Sequence, residues 1–457
     1  MTIMRMFGVL AVAAALAGCS TIEKAESINP FHGGKKASRA ANEANRISIV
    51  ASDEDLKVAD ALKGQDFYLP PPAALAEWPL PGGTPAQSIE NVDAGADFTV
   101  AWRTHFGAGS SRQRHVTAPP VMAQGRVYVM DGAAGVSAHD ARTGAQIWRT
   151  NVAPKSKRDG EAFGGGVAFA DGKLYVSSGF REVVQLDAAT GAIGWRTRTD
   201  APVHGAPTVA DGRVYVVDVN DEMLSFLTDT GRQDWTYQGL TEPARILAAS
   251  SAAVTGDTLV GSFASGELVA LRTSNGNELW TASLSRASRT NALSEIRDIA
   301  GRPVIYRNDV YAVSHSDVMA ATDLRTGVPR WTLPISAVTT PWPVGDVVYV
   351  VEQSGKVFCI SRDSGQIYWI HELNGPDQPG KKGKKSKKAK RVFWSSPVLA
   401  ANRLVMVSSK GEAVALDPKT GAQQKTLKLG SDALIGPIAV GGMIYVATDA
   451  AELIAIR

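Results

Sequence analysis

The stretch from Ala118 to Thr150, APPVMAQGRVYVMDGAAGVSAHDARTGAQIWRT, contains the unit from which most of this 457-residue chain is built. It divides into four short β-rich segments that are separated by Gly, Asp or Asn. No apolar stripe with helical spacing connects the segments, which favours an antiparallel meander over a strand–helix–strand unit. The stretch therefore predicts one four-stranded antiparallel sheet.

The second segment of this unit occurs eight times, at a mean spacing of about 45 residues that is typical of propeller blades. The copies centre on Tyr128, Tyr175, Tyr215, Leu259, Tyr311, Tyr349, Val405 and Tyr445. Seven copies have Thr-Gly, Asn-Gly or Ser-Gly between their last two segments, where Gly suits a positive φ. In the first six of these a Trp follows the Gly by four positions, whereas the seventh has Lys425. We expect these Trp side chains to pack between blades.

The eighth copy stops at Arg457 without its fourth, Trp-bearing segment. A matching segment, Phe98–Thr104 with Trp102, precedes the first copy. We predict that this segment completes the last blade, because ring closure removes the free sheet edges that an open array would expose. The predicted fold is all-β: an eight-bladed β-propeller of four-stranded antiparallel blades, in which an N-terminal strand closes the last blade.

The first 18 residues have the pattern of a secretory signal peptide, with Arg5 before an apolar run that is too short to span a bilayer. Leu16-Ala17-Gly18-Cys19 resembles the lipobox of bacterial lipoproteins, in which the Cys is acylated and becomes the N-terminus. The resemblance implies a lipid anchor on Cys19. Because Ser20 rather than Asp follows, it also implies the periplasmic face of the outer membrane. The alternative is an ordinary signal peptide with an incidental Cys.

The remaining chain divides by composition into three parts. Residues 19–66 are polar and Ala-rich and are interpreted as a lipidated tether, with a short helix around Asp55–Leu62 as an option. Residues 67–96 are Pro-rich, which predicts an extended lead-in packed on the rim of the propeller. Residues 97–457 are assigned to the propeller itself.

Charge and cysteine content exclude several classes of function. The formal net charge of +3 gives no strong field for nucleic acid. Cys359 lies in an apolar segment and is expected in a buried strand, so the two cysteines provide no disulfide framework. Lys381–Arg391 contains seven Lys and one Arg. This run is either a solvated disordered loop or a contact site for anionic lipid or an acidic partner.

The repeat resembles that of the quinoprotein alcohol dehydrogenases, which are eight-bladed propellers that bind pyrroloquinoline quinone and calcium. The chain lacks the vicinal Cys pair of those enzymes, and its seven His are scattered without metal-ligand spacing. Asp218–Glu222 has some likeness to a calcium loop but lacks the Gly and the distal Glu, so we interpret it as a hairpin turn. The sequence therefore predicts a protein that is not an enzyme and needs no cofactor.

A lipobox followed by eight quinoprotein-like repeats without the cofactor residues resembles the BamB family, the propeller lipoproteins of the outer-membrane β-barrel assembly machinery. The resemblance extends from the lipobox through Trp78–Gly83 to the last strand. It implies a scaffold that binds the periplasmic domains of the barrel subunit BamA and assists nascent outer-membrane proteins. Docking through a loop face and pairing of a client strand with a blade edge are both physically plausible.

The resemblance also implies a partner surface on the loops of adjacent middle blades. The matching stretches are Thr241–Ser251 and Asn291–Pro303, which contain Arg245, Ile246, Leu247 and Asp298. The alternatives are burial in a first strand for Ile246 and Leu247, and a solvated turn for Asp298. The competing function is a periplasmic quinoprotein-like enzyme, or a propeller that binds a small ligand in its central funnel.

Overall fold

The computed structural model describes residues 56–154, 162, 164–242, 250–285, 297–375 and 391–457. These residues belong to one compact unit, Leu56–Arg457. They contain β-strands and no α-helix. Within the described residues, no helix is long and apolar enough to cross a membrane.

The strands are numbered in chain order. The first half comprises β1 (Val100–His105), β2 (Val121–Ala123), β3 (Arg126–Met130), β4 (Gly135–Asp140), β5 (Gln146–Asn151), β6 (Gly165–Ala170), β7 (Lys173–Ser178), β8 (Glu182–Asp187), β9 (Ile193–Arg198), β10 (Thr208–Ala210), β11 (Arg213–Val217), β12 (Glu222–Leu227), β13 (Gln233–Gln238), β14 (Ala253–Thr255), β15 (Thr258–Ser262) and β16 (Glu267–Arg272). The second half comprises β17 (Glu278–Ser283), β18 (Val304–Tyr306), β19 (Asp309–Val313), β20 (Met319–Asp323), β21 (Pro329–Leu333), β22 (Trp342–Val344), β23 (Val347–Val351), β24 (Lys356–Ser361), β25 (Ile367–Glu372), β26 (Val398–Ala400), β27 (Arg403–Val407), β28 (Glu412–Leu416), β29 (Gln423–Lys428), β30 (Ile438–Val440), β31 (Met443–Ala447) and β32 (Glu452–Ile456).

These strands form eight four-stranded antiparallel sheets, the blades of a ring. Blades 1 to 7 each use four consecutive strands, beginning with β2–β5 and ending with β26–β29. Blade 8 has the order β1-β32-β31-β30. The prediction of an eight-bladed propeller is therefore confirmed. In each blade the first strand in sequence lies innermost, except that β1 is the outer strand of blade 8.

The middle strands are buried on both faces because each blade is stacked between two neighbours. All five residues of β23 are buried, as are those of β19. A strand covered on both faces can be apolar at every position, whereas one open to water on one face alternates. The outer strands are mostly exposed, as in β5. The core therefore consists of the layers between blades.

A Trp on the outer strand of every blade except blade 7 connects its blade to the next. The ring of Trp195 in blade 2 lies over Gly231 in the last turn of blade 3, where an added Cβ would come within 2.4 Å of that ring. The indole N–H of Trp195 donates to the Thr228 carbonyl at 2.8 Å. Five other junctions repeat this bond, through Trp148, Trp235, Trp280, Trp331 and Trp369. The prediction that these residues pack between blades is confirmed.

The ring closes where the sequence predicts it. β1 pairs antiparallel with β32, with His105 opposite Glu452. The Trp102 ring lies over Gly144 in blade 1, and the Tyr445 hydroxyl donates to the Ala141 carbonyl at 3.0 Å. The indole N–H of Trp102 has no hydrogen-bond acceptor among the described residues. The contact between blades 8 and 1 therefore consists of packing and the tyrosine hydrogen bond, while the β1–β32 pairing closes blade 8.

Lys425, which replaces the Trp of blade 7, lies at the junction with blade 8. Blade 8 has no turn between its last two strands, because β32 ends the chain and β1 begins the ring. A Trp at this position would therefore lack the Gly turn over which the others lie. The Lys425 amino group instead donates to the Asp97 carbonyl at 2.9 Å, at the entry to β1.

The indole hydrogen bonds should be measurable by comparing two substitutions. Trp195→Phe removes the donor to Thr228 and should lower the free energy of unfolding by about 1 kcal/mol more than Trp102→Phe does, since Trp102 has no bond to lose. Both substitutions remove the same part of an indole side chain. The difference between their free energies of unfolding, measured by urea denaturation, therefore isolates the contribution of the hydrogen bond. Equal losses in the two variants would contradict this account.

Residues Phe67–Phe98, here called the strap, lie across the inner strands instead of on the predicted rim. The strap hydrogen-bonds with every blade, through Met122, Phe169, Thr208, Val254, Ile305, Asp346, Leu399 and Gly442 in blades 1 to 8 respectively. Most of these partners lie on innermost strands, whose channel-side edges would otherwise lack backbone partners. The rim prediction is thus wrong because it neglected the hydrogen-bonding needs of these inner edges.

The residues just before the strap also contact the propeller. Val58 forms a parallel bridge with Ile367 on β25, and the Ala59 N–H donates to the Ile367 carbonyl at 2.9 Å. Residues 60–64 form a turn, so the optional helix does not form over the described part of Asp55–Leu62. Pairing with a distant part of the same chain, the edge of blade 6, supplies backbone hydrogen-bond partners in place of those that a helix would have supplied.

Candidate partner-binding face

The strap makes the two faces of the ring different. One face of the ring has two turns from each blade: the turn between strands one and two, and the turn between strands three and four. We call it the sealed face, because the strap crosses the channel there. The open face has the turns between strands two and three and all the connections between consecutive blades. Both predicted partner stretches belong to such connections: one joins β13 to β14, and the other joins β17 to β18.

The described ends of these two connections meet at Ser262, the last residue of β15 in blade 4. The Ser262 hydroxyl lies 2.6 Å from that of Ser250, which belongs to the first stretch. The same hydroxyl donates to the Ile299 carbonyl of the second stretch at 3.4 Å. The fold therefore brings the described ends of both stretches to one side of blade 4.

Arg245, Ile246 and Leu247 lie outside the described residues. Their assignment to the partner surface remains a prediction.

Asp298 differs from both sequence-based expectations, which assumed an exposed side chain. It is only 6% exposed. Its carbonyl accepts a hydrogen bond from the His315 N–H at 2.9 Å, which joins the connection to blade 5. The solvated-turn alternative is therefore wrong. The segment packs down between blades 4 and 5, so its exposed charge lies elsewhere.

That exposed charge is Arg297, which sequence reasoning missed. Its side chain is exposed, and a Cβ at Gly266 would lie 3.1 Å from the Arg297 Cβ. On the other side of the same turn, the Leu240 N–H donates to the Glu267 carboxylate at 3.2 Å. The Leu240 side chain is 65% exposed. A basic and an apolar side chain thus flank the turn between β15 and β16.

Exposed apolar side chains also occur on other connections of the open face. Val338 is 43% exposed, Phe393 49% and Leu434 44%. They follow the outer strands of blades 5, 6 and 7, and single exposed apolar side chains of this kind are normal on a protein surface. Arg391, the last residue of the predicted basic run, is described and donates to the Gln353 carbonyl at 2.8 Å. The rest of that run lies outside the described residues.

The described residues provide no constellation for metal chemistry, because they contain no group of three or more His, Cys, Asp or Glu that could hold a metal ion. Asp218–Glu222 forms a hairpin turn as predicted, in which the Asp218 carboxylate accepts from the Asn220 and Glu222 N–H groups. His139 is buried and within hydrogen-bond distance of Ser137 and the Gly144 carbonyl, and burial lowers its pKa. Cys359 is a buried free thiol on β24, as predicted.

The fold and this face define a quinoprotein-like eight-bladed propeller with a sealed and an open side. The family profile of the outer membrane protein assembly factor BamB matches residues 132–371 and 378–457. The chain therefore belongs to the BamB family.

Individual proteins agree with this assignment. The outer membrane protein assembly factor BamB of Burkholderia pseudomallei is 26% identical over 365 residues, 71% of this chain and 89% of its own length. The crystal structure of BamB from Moraxella catarrhalis matches with a TM-score of 0.65 at 17% identity, over 78% of this chain and 98% of that one.

Enzymes share the architecture as well. Quinohemoprotein alcohol dehydrogenase from Comamonas testosteroni matches with a TM-score of 0.64 at 15% identity, over 82% of this chain and 77% of that one. Since function depends on the site and not on the fold, this likeness shows only the propeller.

Proposed function

We propose that the protein is a non-enzymatic scaffold of the outer-membrane assembly machinery. Its open face binds the periplasmic domains of a BamA-like barrel subunit, and it assists the insertion of nascent β-barrel proteins. The observation that carries this proposal is the convergence of the two predicted partner stretches at Ser262 on blade 4. The exposed Leu240 and Arg297 lie beside that point and give the partner an apolar and a cationic contact.

The partner surface combines this described patch with the neighbouring segment that contains Arg245, Ile246 and Leu247. Asp298 acts beneath the surface by holding its segment against blade 5. Interfaces of this type derive most of their binding energy from a few residues, with Arg and large side chains prominent among them. The direct test is to identify the proteins that copurify with the chain from detergent-solubilised membranes. Recovery without the barrel subunit would contradict the proposal.

A second contact mode uses the blade edges. The outer strands leave one row of backbone groups unpaired, and an extended client strand can add to such an edge. Residues Val58 and Ala59 already pair with the edge of blade 6 in this way. This intrachain pairing on blade 6 supports the edge as a second contact mode.

We place the protein at the periplasmic face of the outer membrane, held by lipid on Cys19. Acyl chains attached to one residue hold a folded domain at a bilayer by burying methylene groups, at about 0.8 kcal/mol each. The tether, residues 19–66, then connects the anchor to the ring.

Replacing Cys19 by Ala should release the protein from the membrane or leave it unprocessed, because no other residue has the lipobox context. The measurement is fractionation of cells that lack the protein's binding partners, followed by immunoblotting. Ser20→Ala is the matched control and should stay in the outer membrane. Full retention of the Cys19 variant with the membrane would exclude lipid anchoring.

The competing function is a quinone-dependent enzyme. Titration of the purified protein with pyrroloquinoline quinone and calcium tests it by absorbance. If the protein binds one equivalent of quinone, and if the bound quinone is reduced when an alcohol is added, the result would favour an enzyme over a scaffold.

A further inference from the structure

The channel of the propeller contains a cavity of about 440 Å³. The strap forms its floor through Trp78, Pro81, Gly82 and Gln87, and the open-face ends of the blades form its wall. This volume lies within the range of about 300–1,000 Å³ usual for small-molecule sites.

One level of the wall is built from equivalent positions in successive blades. Most of these residues precede the Pro that begins an innermost strand, and the residue before Pro is restricted to extended backbone. Six blades have an uncharged residue at this position. These residues, which line the cavity, are Pro119, Ala206, Ser251, Thr340, Ser396 and Gly436. Blade 5 alone among these seven presents a charge, Arg302.

Arg302 has no counter-ion among the described residues. Its Nε is buried without a hydrogen-bond acceptor among the described residues, and none of the ion pairs there involves its guanidinium. Burial alone lowers the pKa of Arg302 to about 10, so the group remains protonated at neutral pH. A partly desolvated cation without a partner is costly, and a bound anion would remove that cost.

A second unpartnered donor lines the same cavity. The indole N–H of Trp342 is buried and has no acceptor within the described part of the chain. The Trp342 ring stacks on Trp78 of the floor, with centroids 6.2 Å apart and an interplanar angle of 21°. Gln87 contributes a buried amide oxygen that accepts no hydrogen bond from any residue that the structure describes. The site thus offers flat aromatic surface, an N–H donor and a cation.

The remaining charges of the cavity lie on blades 8 and 1. Burial and the neighbouring Asp432 raise the pKa of Asp449, whereas His115 lowers it. Asp449 and His115 thus interact with each other across the wall from blade 5. An anion would therefore bind on the side of Arg302.

From this arrangement we propose that the central cavity binds a small organic carboxylate with a flat apolar body. The guanidinium of Arg302 pairs with the carboxylate, for which its planar fork is the best match among protein side chains. The body packs against Trp342 above the strap. This site is separate from the patch formed by Leu240 and Arg297, since neither residue lines the cavity.

Calorimetric titration tests the site with 2-naphthoate, the neutral 2-naphthamide and inorganic phosphate. The protein is the full mature chain made soluble by Cys19→Ser. We expect naphthoate to bind, and to bind at least about tenfold more tightly than the amide, as suits a charge-assisted hydrogen bond. Arg302→Gln should weaken naphthoate binding about tenfold or more, and Trp342→Phe should weaken it less.

Arg232→Gln is the matched control, because it removes the same charge from an exposed turn that does not line the cavity. Its affinity should equal that of the wild type. Unchanged naphthoate affinity in the folded Arg302 variant, or no binding by the wild type, would overturn the proposal. Phosphate binding that matches naphthoate would overturn the assignment of a flat organic body.

Discussion

A chain that begins at Phe106 should aggregate instead of unfolding cooperatively, because it lacks β1, the outer strand of blade 8. Loss of the partly buried Trp102 costs about 3 kcal/mol. Each backbone hydrogen bond lost between β1 and β32 costs about 1 kcal/mol more. The total is comparable with the stability of about 5–15 kcal/mol of an ordinary domain. The exposed edge of β32 would then be free to pair with other chains.

Two longer chains separate the effect of β1 from that of the strap. A chain that begins at Phe98 keeps β1 and loses the strap, so it should stay monomeric and melt at a lower temperature. A chain that begins at Phe67 keeps both and should melt close to the wild type. Light scattering and calorimetry measure the three outcomes. A monomeric Phe106 chain with an unchanged melting curve would show that β1 does not close the ring.

Replacing Leu240 and Arg297 together by Ala should weaken binding to the periplasmic domains of the barrel subunit by about 30-fold or more. Truncation of an interface anchor typically costs about 2 kcal/mol or more, and 1.4 kcal/mol corresponds to a factor of ten. Both side chains are exposed, so the melting temperature should stay close to that of the wild type. Calorimetric titration paired with thermal melting measures both quantities.

Arg325→Ala with Val328→Ala is the matched control. These residues also present one exposed Arg and one exposed apolar side chain, but on a turn of the sealed face in blade 5. This control should bind like the wild type. Wild-type affinity in the Leu240/Arg297 variant would place the interface elsewhere on the ring. Asp298→Asn should act differently, by lowering stability, because its side chain is buried.

The number of blades and their closure followed from the sequence because they depend on local periodicity. Short β-rich segments occur in all eight copies, the Gly turn before the last segment occurs in seven, and a Trp at one fixed offset follows that Gly in six. Each feature acts within one blade or between nearest neighbours, so one copy predicts the next. The missing fourth segment at Arg457 and the extra one at Phe98–Thr104 were visible for the same reason.

The position of the strap was not predictable in this way. Its Pro residues indicate an extended chain but not where that chain binds. Its binding site exists only after eight inner strands have been assembled with their free edges around one channel. Likewise, Lys425 is an exception in the repeat pattern, and only the structure shows that it lies at the junction without a turn.

Some features of the candidate site were predictable from the sequence, and others were visible only in the structure. The sequence by itself determined a repeat ring and its closing strand, because these follow from spacing along the chain. The two stretches on adjacent blades were implied by the family resemblance and not by spacing. Only the tertiary structure decided that Asp298 is buried while Arg297 is exposed. It also decided that the unpartnered Arg302 faces a cavity floored by the strap. Burial and charge pairing depend on what distant segments place nearby, and no local pattern contains that information.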